Sequence, residues 1–91
     1  MSMRYSGNGQ LIFKAETIPV KYEVREIVTG GLRDHRGYVE GDPSAFVRLA
    51  WGEPSAKLEF EDGRILNVMF PRLTMGDSRI QIVGSGAIQS P

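Results

Sequence analysis

The chain contains no cysteine, which excludes a disulfide framework, a thiolate metal site and a thiol nucleophile together. Its single histidine, His35, leaves too few ligands for tetrahedral zinc, and no metal or other cofactor is expected. An excess of one charge is missing too. Eleven basic and eleven acidic residues cancel and alternate without forming blocks, so no net field draws the protein toward polyanions. No stretch approaches the roughly 20 apolar residues of a membrane span, and the opening MSMRYSGNGQ has no apolar run behind its basic residue. A cytoplasmic protein without membrane contact is the expectation.

Length sets a further bound, because 91 residues suffice for one core only. Area scaling for this mass buries about 64% of the unfolded chain's surface, so most of the apolar residues must serve the core. One domain is expected over residues 1–83, with GSGAIQSP, from residue 84 onward, as a flexible tail.

What is present is a β pattern. Short stretches rich in Val, Ile, Tyr and Phe recur with Gly or Pro turns between them, as in a small antiparallel domain. In AKLEFEDGRILNVMF, Ala56, Leu58 and Phe60 alternate with polar residues, and Leu66, Val68 and Phe70 do so after the turn. A two-residue Asp62-Gly63 turn would set Leu58 against Asn67 and mix the faces. A three-residue loop, Glu61-Asp62-Gly63 with Gly63 left-handed, pairs Leu58 with Leu66 and Ala56 with Val68, and is preferred.

MRYSGNGQLIFKA reads as a hairpin turning at Gly7-Asn8-Gly9. VKYEVREIV fits both periods, but its β-branched and aromatic content favours a strand. SRIQIV supplies a last strand. In GDPSAFVRLAWG, Ala45, Val47, Leu49 and Trp51 alternate as in a strand, whereas Asp42 suits an N-cap, Pro43 the first helical position and Gly52 a helix end. A helix there would bring the element order near that of an oligonucleotide-binding barrel. The fold class is therefore mainly β: one small antiparallel barrel or sandwich of six to eight short strands, with residues 43–50 fitting a short helix as well as a strand.

TGGLRDHRGYVEGDP gathers the histidine with charges and glycines, and pairing it with residues 20–28 through a Gly30-Gly31 turn explains most of them. Tyr22 then faces Val39, Lys21 faces Glu40, Val24 faces Gly37 and Glu26 faces His35. The same register sets Arg25 against Arg36, with Glu23 as the diagonal neighbour able to compensate. Arg25, Arg33 and Arg36 form a candidate anion-binding edge, since guanidinium forks suit carboxylate and phosphate. The alternative is a solvated charged face of Glu23, Arg25, Arg36 and Tyr38, with His35 near the turn facing Glu26 and having no task.

Nothing assembles a catalytic centre. Asp34 points to the opposite face from His35 and cannot orient its ring, and none of the serines at 6, 44, 55, 78 and 85 lies in a G-x-S-x-G elbow. G-N-G and G-S-G open no βαβ unit. Glu59, Glu61 and Asp62 lack calcium-loop spacing. Asp42-Pro43-Ser44, downstream of the arginines, is similar to the opening of the arginine and D-x-S-x-x-G signature of cyclic-dinucleotide-binding PilZ barrels. The separation is too short and Val47 stands in place of the final glycine, so that family is not assigned. Trp51, at the end of its element, reads as core or rim packing with the capacity to anchor a partner.

The sequence thus leads to a non-catalytic domain that binds a protein partner or itself through an edge strand. Its alternative is a small barrel binding nucleic acid, a nucleotide or another anion through the arginine patch.

Overall fold

The computed structural model of the chain describes residues 2–14, 16–50, 55–71 and 78–90. Six strands and one helix follow in the order β1 (Ser2–Ile12), β2 (Thr17–Thr29), β3 (Leu32–Glu40), α1 (Pro43–Ala50), β4 (Ser55–Glu59), β5 (Ile65–Met69) and β6 (Arg79–Gln89). The strands close an antiparallel barrel in the order β1-β2-β3-β6-β5-β4, with β4 returning to β1. Six closed strands, rather than the five of an oligonucleotide-binding barrel, surround the core, although the helix does fall between β3 and β4.

Both hairpin registers deduced from turn chemistry are present. Gly30 and Gly31 take φ of 57° and 85°, the pair of positive angles a two-residue type I′ turn demands, and β2 meets β3 with Tyr22 opposite Val39 and Arg25 opposite Arg36. Gly63 is left-handed at φ 92°, Phe60 N–H donates to the Arg64 carbonyl, and Leu58 lies opposite Leu66.

The hairpin expected at Gly7-Asn8-Gly9 does not form. β1 runs straight through it, pairing with β2 from Ser2 to Ile12 and with β4 from Gln10 to Ile12. The glycine at position 9 serves close approach rather than a turn, since a side chain there would run into the Glu59 carbonyl and come within 3.0 Å of the Tyr22 ring. The expected tail likewise differs, because β6 extends to Gln89 and pairs with β5 from Val83 onward through a bulge near Ile65. Residues 84–89 complete the barrel wall although their composition is that of a linker, because β5 needs a second neighbour.

Residues 43–50 are helical. Asp42 caps the helix, its carboxylate accepting from Ser44 N–H at 3.0 Å, and Pro43 sits where its missing N–H costs nothing. The helix drops Phe46, 1% exposed, into one end of the barrel. The rest of the interior is filled by alternating residues of every strand, including Leu11, Val24, Val39, Leu58, Leu66 and Ile82.

Candidate functional site

Because the interior is packed, ligand contact falls to the outside, and strand alternation decides what appears there. On β1, β2 and β3 the outward rows are set by register. Arg4 lies opposite Arg25, and Arg25 opposite Arg36, so three adjacent strands each contribute an arginine to one row. Directly opposed residues are separated by about 5 Å between Cα atoms, close enough for their charges to repel. The next row holds Ser6, Glu23, Tyr38 and Gln81. A groove of ≈ 530 Å³ follows β2, β3 and β6, with Arg25, Ile27, Arg36 and Gln81 among its walls.

The acidic neighbours are already committed. Glu23 accepts a hydrogen bond from the Tyr38 hydroxyl at 2.7 Å and pairs with Arg4 Nε at 3.2 Å. That hydroxyl, more than the nearby Arg4 and Arg25 charges, holds the Glu23 carboxyl below the usual carboxylate range. In return the carboxylate raises the Tyr38 phenol above its ordinary value. Arg79 Nε donates to Glu40 at 2.8 Å, which raises the guanidinium's pKa, and the group lies 4.2 Å from the Tyr38 ring centre. Arg36 Nε pairs with Asp34 at 2.9 Å. Compensation of Arg36 by Glu23 is therefore not what occurs: Asp34 reaches Arg36 along the same strand while Arg4 and Tyr38 take Glu23. Within the groove Arg25 is left over, with no ion pair to any described residue.

Of the four residues singled out from the sequence, the structure brings two together, Arg25 and Arg36. Arg33 is exposed opposite Val28 on the other face of the sheet, three positions from Arg36, and does not line the groove. Trp51 lies outside the described residues. Arg4 and Arg79 were not among the candidates: Arg4 depended on recognising β1 as one strand, and Arg79 on the pairing of β3 with β6, which no local signal announces.

His35 is inside the barrel, 1% exposed, with Nε2 2.7 Å from Glu26 Oε2. It faces Glu26 as expected but is not without a task, because His35 and Glu26 share the parity of Val39 and Tyr22, which point inward, and the two are bonded there. Its Cβ lies against Gly84, where an added Cβ would come within 2.5 Å, so β6 seals the pair. Asp34 faces outward to Arg36, as alternation requires. Glu26 is thus the ring's partner, and the pair is buried within the barrel.

Glu59, Glu61 and Asp62 are also used by the fold. Glu59 accepts from Gln10 Nε2 at 2.6 Å, and Glu61 accepts from Asn8 N–H at 3.1 Å where the pairing of β1 with β4 ends. The Arg64 backbone N–H and guanidinium hold Asp62, lowering its pKa. Among the described residues no group of three or more His, Asp or Glu is placed to hold a metal ion, and no helix is long and apolar enough to cross a membrane. Compared with family models, with curated proteins and with solved structures, the chain has no match in any of the three.

Proposed function

We propose that the chain is a non-catalytic binding domain that holds a protein partner through an anionic group received at Arg25 and Arg36. The supporting observation is the row of Arg4, Arg25 and Arg36, in which Arg25 stands between two like charges with no ion pair to any described residue, its acidic neighbour Glu23 being bonded by Tyr38 and Arg4. Opposed like charges cost stability in a sheet, and an anion bound across them removes that cost. Contact with a nucleic acid through stacking has less in its favour, since Arg79 already covers the Tyr38 ring and the net charge is zero.

Amide-shift titration tests the reading. Millimolar acetate and inorganic phosphate, added separately to labelled protein at low salt, are expected to move the amides of Arg25 and Arg36 for at least one of the two. Silence at both positions with both anions removes it.

A further inference from the structure

We infer that the anion received at Arg25 and Arg36 is a single carboxylate carried by a polypeptide beside an apolar side chain. This rests on the function proposed above and narrows it. Charge comes first: Arg4, Arg25, Arg36 and Arg79 are set against only Glu23, Asp34 and Glu40, which leaves one positive charge in excess on this face, with Arg25 the arginine that has no ion pair to a described residue. A monoanion balances it. A phosphate, carrying about −1.5 to −2, would stand over-charged beside Glu23, whose carboxylate is fixed in place by Tyr38 and Arg4.

Geometry agrees with charge. Arg36 spends its Nε on Asp34, and the register sets it directly opposite Arg25 on the neighbouring strand, both residues lining the groove. A guanidinium fork matches the two oxygens of a carboxylate. Next along β2 on the same face is Ile27, 37% exposed, which offers an apolar wall within reach of the anion, and Gln81 across the groove supplies a neutral amide suited to a peptide group. Base stacking has no platform among the described residues, where the one aromatic ring lining this groove, that of Tyr38, is under Arg79.

The probes are N-acetyl-leucine, its uncharged amide, acetate, inorganic phosphate and a short oligothymidylate, each titrated into the full chain with amide shifts as readout. N-acetyl-leucine is expected to saturate shifts at Arg25, Arg36 and Gln81 and to bind more tightly than acetate, while its amide leaves them unmoved. Arg25→Gln should weaken that binding about tenfold or more, the scale of a lost charge-assisted hydrogen bond. Lys57→Gln, on β4 away from the groove, should bind as the unaltered chain does, and circular dichroism confirms that each variant is folded. Phosphate or oligothymidylate binding as tightly as N-acetyl-leucine, or acetate equalling it, overturns the inference and leaves the anion-binding function standing. Silence of every anionic probe overturns both.

Discussion

Removing His35 while keeping Glu26 tests the largest electrostatic commitment inside the barrel. In His35→Leu the carboxylate of Glu26, whose side chain is only 11% exposed, loses its one described partner. An unpaired buried charge of this kind costs about 3–5 kcal/mol. A domain of this length has roughly 5–14 kcal/mol in all, so the variant should be near the edge of folding at 25 °C. Glu26→Leu instead leaves the buried imidazole without its hydrogen-bond partner, and should cost about 1–3 kcal/mol. Replacing both by Leu removes the polar demand altogether, and the double variant should be more stable than His35→Leu alone. Urea unfolding followed by far-ultraviolet circular dichroism at pH 7 gives all three values and their coupling. The reasoning is refuted if His35→Leu costs less than about 1 kcal/mol, or if the double variant costs the sum of the two singles, which would mean that the 2.7 Å contact carries no energy of its own.

Three further outcomes follow from the same physics. Arg25→Thr removes a like charge from between Arg4 and Arg36 and should raise stability by about 0.2–1 kcal/mol in urea unfolding, a gain that shrinks as salt is added. The lowered pKa of Glu23 contributes stability that is present above its unfolded value and lost as pH falls through the folded one. The raised pKa of Tyr38 contributes stability present below its unfolded value of about 10 and lost as pH rises through the folded one. In Glu23→Gln the Tyr38 phenol should therefore ionise at lower pH than in the unaltered chain, read as tyrosinate absorbance and assigned with Tyr38→Phe; an unmoved titration would count against the hydrogen bond. Phe46→Ala should cost about 3–5 kcal/mol in chemical unfolding, since the helix has placed that ring at 1% exposure in the barrel end, and a smaller loss would mean that the end collapses to fill the gap.

The groove and the buried pair were legible to different depths. Arg25 beside Arg36 came from the sequence alone, because two glycines fix a two-residue turn and the turn fixes every pairing behind it. Glu26 beside His35 came from the same register, and its inward direction was available from parity with Tyr22 and Val39, but charge argued for the surface and concealed it. Arg33 was grouped with Arg36 by composition, although an odd spacing in a strand places the two on opposite faces.

By itself the sequence determined the mainly β class, the two hairpin registers and the opposed arginines, all of which depend on alternation and turn residues within one hairpin. Tertiary structure decided that β1 passes straight through Gly7-Asn8-Gly9, that residues 84–89 are wall rather than tail, and that residues 43–50 are helical. It also brought Arg4 and Arg79 to either side of the Arg25 groove. In each of those cases the deciding neighbour lies far along the chain: Glu59 and Tyr22 against Gly9, β5 against the end of β6, and the open barrel end that Phe46 fills. Glycine is compatible with a turn, a tail and a close crossing alike, and only the residue that arrives across from it selects among them.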